Sequence, residues 1–240
     1  MHHPPLPHAP SLFRGRHFDR TVIVLCVRRH ITYKLSYRDL VGMMAERGVD
    51  VSHTTILRWV QCYVPEFERR WRRYARPVGT SWRVDETYIR VRGRWTYLYR
   101  AVERHGLTID FLPGERRDTA AARRFLTRAV ERHGALGRMT LDGYPATHAA
   151  VAELKASGVI RPETKVWTSK YLNNLVEQDH RRVKQRVYPL LGFKRFRNAT
   201  IAITGIEPAQ KIRKGQFDMS GVIVREEARV PHVWEAVLAA

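Results

Sequence analysis

The first third of the chain repeats its apolar residues with the period of an α-helix. Apolar side chains recur at helical spacing from Phe18 to His30, and a second such stretch follows Ser36, which can cap a helix. Gly48 suits the left-handed conformation that ends many helices, and Ser52 can cap a third helix. The pattern predicts three helices, of which the last two form a helix-turn-helix.

The third predicted helix has a buried side and an outward side. Because the second helix of a helix-turn-helix enters the major groove, we expect outward residues near its start to contact DNA. These candidate DNA-binding residues are Ser52, His53, Thr54, Thr55 and Arg58. An ordinary three-helix bundle has the same periodicity, but 14 basic against 6 acidic residues in positions 1–80 favour DNA binding.

From about residue 80 the pattern changes to the alternation typical of β-strands. Two alternating runs flank a turn at Arg92 and Gly93, and Asp118 can cap a helix that ends before Gly134. The predicted order is strand 82–91, strand 95–102, strand 107–112, helix 119–133, strand 138–141, helix 145–155, strand 165–167 and a helix from about 174. Three antiparallel strands followed by alternating helices and strands indicate a ribonuclease-H-like α/β fold, preceded by an all-α domain.

A basic segment from Glu68 to Gly79 separates the two patterns. We therefore expect a disordered leader at 1–12, a helix-turn-helix domain with its linker at 13–78, a ribonuclease-H-like catalytic domain at 79–217 and a divergent tail at 218–240. No apolar run approaches the roughly 18 residues of a membrane span, and the first ten residues do not form a signal peptide. Two cysteines exclude a four-cysteine zinc site and a disulfide framework, which favours a cytoplasmic setting.

The composition adds a strong positive charge to this picture. The chain has 43 Lys and Arg against 23 Asp and Glu, a net charge of +20, and a hydrophobic content of 44% excludes a disordered basic tail. Between Arg181 and Lys214 ten basic residues and one acid are interleaved with aromatic residues. This stripe suits a phosphate backbone and its bases, and a solubilising surface without a specific partner is the alternative.

Three carboxylates stand at positions typical of a catalytic site. Asp85 lies in the first strand, Asp142 follows the fourth strand, and Glu177 lies on a later helix. At about 100° per residue, Glu177 shares the flank of the buried stripe with Arg181 and Lys184. Oxygen ligands from separate elements are what two Mg²⁺ ions need, and the two cations would then bind DNA phosphates.

Other acids compete for these roles, because most Asp and Glu residues are solvated at the surface. On a strand Glu86 is expected to face away from Asp85, and Asp118 is better explained as a helix cap. Asp110 and Asp179 are further candidates. From the pattern alone, the three-acid set and a set of unrelated surface acids are equally open alternatives.

Several blocks of the sequence resemble the DDE transposases of insertion sequences, and more narrowly the insertion sequence 6 family. The run WRVDETYIRVRGRWTYLYRAV at 82–102 is similar to the first catalytic block of that family, and YLNNLVEQDHRRVK at 171–184 is similar to the third. Shorter matches lie at 13–18, 45–49, 191–196 and 212–217, so the resemblance spans about residues 13–217. Between Asp142 and Glu177 lie 34 residues, the spacing of the family.

This resemblance implies an enzyme that recombines DNA. Asp85, Asp142 and Glu177 would bind two Mg²⁺ ions, for which Mn²⁺ can substitute, and would catalyse strand cleavage and 3′-hydroxyl transfer. Lys184 would be an accessory DNA contact, and the helix within residues 52–61 would read double-stranded DNA. Family members act as homo-oligomers on terminal inverted repeats and target DNA, mostly by replicative strand transfer, and we expect a prokaryotic, nucleoid-associated location.

The sequence departs from the family pattern around the second aspartate, where it reads LDGYPAT in place of TDKAPAY. Gly143 removes a cation and Tyr144 adds bulk. A catalytically inactive helix-turn-helix regulator, such as a decayed transposase, is therefore an alternative, and it predicts DNA binding without Mg²⁺-dependent nicking. A ribonuclease-H-type nuclease acting on RNA–DNA hybrids is another, but it gives the N-terminal DNA reader no role.

Overall fold

The computed structural model describes residues 12–33, 35–134, 136–169, 174–187, 193–218, 233–234 and 237–238. The chain forms two compact units, one of Met1–Ala75 with Ile201–Ala240 and the other of Arg76–Thr200. The predicted leader and tail lie largely outside the described residues. The predicted domain limits at 78 and 217 therefore stay a prediction.

The described N-terminal residues of the first unit form three α-helices, α1 (Arg20–Thr32), α2 (Tyr37–Ala45) and α3 (His53–Trp71). Ser36 accepts a hydrogen bond from the backbone N–H of Asp39, whose carboxylate in turn accepts from the backbone N–H of Ser36. Ser52 caps α3 by accepting a hydrogen bond from the backbone N–H of Thr55, and Gly48 adopts a φ of 69° between α2 and α3. The three predicted helices and both predicted serine caps are confirmed.

Helix α7 (Phe196–Arg213), whose residues from Ile201 onward belong to the first unit, packs closely against α1 and α3. A side chain at Gly205 would lie 2.7 Å from the Cδ1 atom of Ile31 and 3.0 Å from Val64, so glycine is what allows this approach. Near the C-terminus, the ring of Trp234 stacks on Phe67 with 3.7 Å between ring centroids. The C-terminal residues therefore contribute to the same core as α1 and α3.

The second unit is built on a mixed five-stranded sheet. Its elements are β1 (Ser81–Val91), β2 (Arg94–Glu103), β3 (Thr108–Gly114), α4 (Thr119–His133), β4 (Arg138–Leu141), α5 (Pro145–Ala156), β5 (Lys165–Thr168) and α6 (Asn174–Val187). The strand order is β3-β2-β1-β4-β5. The pairs β1–β2 and β2–β3 are antiparallel, and the pairs β1–β4 and β4–β5 are parallel. This order and the crossover helices define the ribonuclease-H-like fold, and the predicted fold class is confirmed.

The core of the second unit lies between the sheet and the helices α4 and α5. Trp82 and Val84 of β1 are buried against Phe125 and Leu126 of α4 and against Ala150 of α5. Helix α6 contacts β1 and β2. None of the helices in the described ranges is long and apolar enough to span a membrane.

Candidate active site

The register of two parallel strands brings Asp85 and Asp142 together. Arg83 of β1 pairs with Thr140 of β4, and β4 ends one residue later at Leu141. Two positions beyond the Arg83–Thr140 pair, Asp85 and Asp142 therefore lie level with each other where the strands separate. Carboxylate oxygens of Asp85, Asp142 and Glu86 all lie within 4.8 Å of one another.

Glu86 belongs to this cluster, although strand alternation places it on the face of β1 opposite to Asp85. The expectation that facing away separates Glu86 from Asp85 is therefore wrong. Because β4 ends before this level, the edge of β1 is not covered by β4 here, and neighbouring side chains from both faces can reach the same space. The carboxylate of Glu86 is almost fully buried and accepts a hydrogen bond of 2.7 Å from the hydroxyl of Thr147. Simple strand alternation could not show this, since it ignores where the adjacent strand stops.

Arg117, in the loop before α4, pairs with two of the three acids. Its Nη2 atom lies 3.2 Å from an oxygen of Glu86 and 3.3 Å from an oxygen of Asp142. The guanidinium stacks over the ring of Tyr144 at 3.6 Å, and the Tyr144 hydroxyl donates to the carbonyl of Arg117 at 2.9 Å. The backbone N–H of Tyr144 donates to Asp142 at 3.1 Å. Tyr144, a departure from the family pattern, thus holds the arginine of this site.

Ionisation of the acids in this cluster is electrostatically unfavourable. The pKa of Asp85 is raised to about 7, chiefly by burial and further by the charges of Asp142, Glu86 and Glu177, against a backbone hydrogen bond that lowers it. Burial also raises the pKa of Glu86. A carboxylate held in this state gains most from a nearby cation.

Helix α6 places Glu177 near this cluster. Val176, Val183 and Val187 are buried, as the helical pattern predicts, whereas Glu177 is exposed. The charge of Glu177 nevertheless acts on the pKa of Asp85, but Glu177 is not one of the three acids whose oxygens lie within 4.8 Å of one another.

A buried ion pair joins α6 to the sheet. Asp179 lies 2.5 Å from Nη2 of Arg100 on β2 and accepts a hydrogen bond of 3.1 Å from the hydroxyl of Thr108 on β3. The next residue, His180, is buried with Nδ1 at 3.6 Å from Asp85. Burial lowers the pKa of His180 well below its ordinary value, so the imidazole is neutral. Asp179 therefore anchors the helix that carries Glu177.

The predicted DNA contacts lie in both units. On α6, Arg181 is exposed and Lys184 places its Nζ atom 5.0 Å from the centre of the Tyr88 ring. On α3, the side chain of Ser52 bonds to its neighbours in the cap. His53, Thr54 and Arg58 are exposed, and Thr55 is partly exposed. Their DNA-binding roles stay predictions.

Comparisons with known proteins show the family to which this chain belongs. A family model described as a DDE domain matches residues 79–216. The chain is 40% identical over 176 residues to the transposase for the insertion sequence-like element IS431mec of Staphylococcus aureus (strain N315), with 73% of this chain and 78% of the relative covered. The same figures hold for the S. aureus transposase for insertion sequence element IS257 in transposon Tn4003.

Among solved structures, the chain is similar to the HTLV-2 integrase catalytic core domain in complex with magnesium, at 18% identity and a TM-score of 0.39. That match covers 48% of this chain and 75% of the other. The fold assignment here rests on the strand order, and the family assignment rests on the matched domain and the transposase relatives. This chain belongs to the DDE transposases of insertion sequences, within the insertion sequence 6 family.

Proposed function

We propose that this transposase cleaves DNA strands at the terminal inverted repeats of its element and joins the freed 3′-hydroxyl to target DNA. The observation that carries the proposal is the placement of Asp85 beside Asp142 where β1 and β4 separate, with the charge of Glu177 acting on Asp85. These three acids are the metal ligands of the proposed mechanism.

The residues of the site fit a hard divalent cation. Carboxylate oxygens are the ligands that Mg²⁺ prefers, and burial together with the neighbouring acids raises the pKa of Asp85, so a bound cation would stabilise its ionised form. Bound there, two Mg²⁺ ions, or Mn²⁺ in their place, would activate the attacking water or 3′-hydroxyl and stabilise the leaving oxygen. Glu86 and Arg117 would position Asp142, and Asp179 would position Glu177 through α6.

The positive charge of the chain supports binding of double-stranded DNA close to these acids. Arg181 and Lys184 lie on the same helix as Glu177, so they are suited to hold phosphates near the reacting one. The outward residues of α3 would read the inverted repeats. Since two ends of an element must be joined to one target, we propose a homo-oligomer of two or more chains and a replicative route.

The test is Mg²⁺-dependent nicking and joining of a DNA fragment that carries the ends of the element. Asp85→Asn should abolish both reactions while it leaves binding of the fragment nearly unchanged, because Asp85 contacts the metal and not the bases. Glu163→Gln, which neutralises an exposed acid on another loop, is the control and should retain activity. Strand transfer by the Asp85→Asn protein would refute the proposal.

The same experiment separates the alternative of a regulator derived from a decayed transposase. Such a protein binds the end fragment specifically but shows no Mg²⁺-dependent nicking in any form, including the unmodified chain. Specific binding without nicking would therefore favour that alternative.

A further inference from the structure

Two large aromatic side chains are exposed on the hairpin formed by β1 and β2. Tyr88 is 55% exposed and Trp95 is 57% exposed, and their ring centroids lie 5.2 Å apart with planes at 70°. We call these two residues the hairpin aromatic pair. Exposed aromatic rings that lie together are typical of binding surfaces, because each ring leaves a large apolar area in water.

The two rings of the hairpin aromatic pair are not part of the hydrophobic core. Thr87, Ile89 and Val91 alternate with Tyr88 along β1 and are buried. Tyr88 therefore lies on the opposite face, which it shares with Glu86 of the acid cluster. The core of the unit includes Trp82 and Val84 on this face but neither member of the pair. The rings are thus presented to solvent beside the acid cluster.

Cations surround the hairpin aromatic pair. The guanidinium of Arg90, directly opposite Trp95 in the strand register, lies 5.7 Å from the centre of its ring. The Nζ atom of Lys184 lies 5.0 Å from the centre of the Tyr88 ring. Arg92 and Arg94, at the turn, are also exposed. Positive charge around flat apolar rings matches a nucleic acid strand, which offers phosphates and the flat faces of bases.

The pair is near the acids in the strand. Tyr88 lies three residues along β1 from Asp85, or about 10 Å at the rise of a strand. That distance corresponds to about three nucleotides of B-form DNA. Lys184 also links the pair to α6, the helix that carries Glu177.

We propose that the hairpin aromatic pair stacks an unpaired base of the DNA strand, about three to five nucleotides from the phosphate at the acids, since Trp95 pairs with Arg90, five residues along β1 from Asp85. The inference rests on the proposed function, because it takes the DNA substrate as its ligand. Bases inside a duplex already stack on each other, so the pair selects a base that is unpaired at a strand end or rotated out of the helix. Arg90 and Lys184 hold the phosphates on either side of that base.

The test uses the full chain and a forked DNA duplex whose unpaired arm carries 2-aminopurine, a base whose fluorescence changes on stacking. A fully paired duplex of the same sequence is the reference, and chelator is present throughout, so the measurement does not depend on catalysis. The unmodified protein should change the fluorescence of the forked DNA and bind it more tightly than the paired duplex.

Trp95→Ala should weaken binding of the forked DNA between about 5-fold and about 100-fold and should remove the fluorescence change. Trp95→Phe should retain most of both, because phenylalanine still stacks. The matched control is Trp167→Ala, since Trp167 is another exposed tryptophan, 46% exposed, with the guanidinium of Arg138 4.4 Å from its ring on a different strand. It should bind like the unmodified protein.

Equal losses for Trp95→Ala and Trp167→Ala would overturn the proposal, because they would show a general effect of surface aromatics. So would a Trp95→Ala protein that binds forked and paired DNA as the unmodified chain does. If Trp95→Ala instead changed the sedimentation of the protein without altering base fluorescence, the pair would be a protein interface and the proposal would be wrong. Loss of nicking by Asp85→Asn is independent of all three outcomes.

Discussion

Two buried charge clusters in the ribonuclease-H-like unit have opposite balances of acids and cations. Asp110 of β3 is surrounded by cations, since Nε and Nη2 of Arg128 each lie 3.0 Å from its oxygens and Nη1 of Arg132 lies at 3.3 Å. At the candidate active site the three acids have one guanidinium beside them in the part of the chain that the structure describes, that of Arg117, which pairs with Glu86 and Asp142. One cluster has more cations than acids, and the other has more acids than cations.

The opposite charge balances of the two clusters indicate different roles. Arg128 and Arg132 are four residues apart on α4, so one helical face supplies both cations that Asp110 needs. The charge of Asp110 is thus balanced by the protein itself, and the ion pairs hold α4 to the sheet. The acids of the active site keep an excess of negative charge at an open strand edge, which is costly unless a cation from solution is bound. The stability of the chain should therefore respond differently to changes in the two clusters.

The largest effect is expected from removing one acid in each cluster. Asp110→Asn should lower the free energy of unfolding by about 3 kcal/mol, because it leaves two arginines without their buried partner. Asp85→Asn should leave it unchanged or raise it, since it relieves repulsion among the acids. Urea unfolding in chelator at pH 8 measures both. A loss for Asp85→Asn as large as that for Asp110→Asn would show that the two clusters are not different.

A smaller effect is expected from pH. The pKa of Asp85 is raised to about 7 in the folded chain. Between about pH 4 and pH 7, the carboxyl group of Asp85 therefore keeps a proton in the folded state that it has already lost in the unfolded state. Stability from this group is present at low pH and is lost as the pH rises through 7. From pH 5.5 to pH 8 the unmodified chain should lose about 2 kcal/mol more than Asp85→Asn, by urea unfolding in chelator. An equal pH dependence of the two proteins would contradict the electrostatic description of the site.

The smallest effect is expected from the cation of the site. Arg117→Gln should lower the free energy of unfolding in chelator by about 1 kcal/mol, because Glu86 and Asp142 lose their ion pair. It should also tighten Mn²⁺ binding about fivefold, measured by electron paramagnetic resonance, since the guanidinium competes with the metal for these acids. Arg116→Gln removes the same charge from the neighbouring exposed residue and should do neither. Weaker Mn²⁺ binding by Arg117→Gln would rule out competition.

Most of the fold could be predicted from local signals. The predicted strand limits agree with β1 to within one residue, and the predicted caps at Ser36, Ser52 and Asp118 are the observed ones. Each of these signals lies within a few neighbouring residues, since a cap satisfies the first backbone N–H groups and alternation reflects one buried face. Local chemistry therefore suffices to predict them.

The composition of the site could be predicted only in part. The sequence pointed to Asp85 and Asp142 as candidates, and the structure brings their carboxylates together. The sequence raised Glu86 only as a competing acid that alternation set aside, and it did not indicate Arg117. Glu86 joins the cluster because β4 ends early, and Arg117 reaches it from a loop more than 20 residues before Asp142 in the chain. Neither fact has a periodic signal.

The order of helices and strands, the transposase family and the excess of positive charge can all be read from the amino-acid sequence. Folding is needed to show which acids lie together, which arginine pairs with them and which aromatic rings face solvent. The reason is that secondary structure depends on contacts within a few residues, whereas the charge balance of a site depends on residues that strand register and loop closure bring together from distant positions. Asp110 and Asp85 are both aspartates within predicted strands, and only their surroundings make one an anchor and the other a candidate catalytic group.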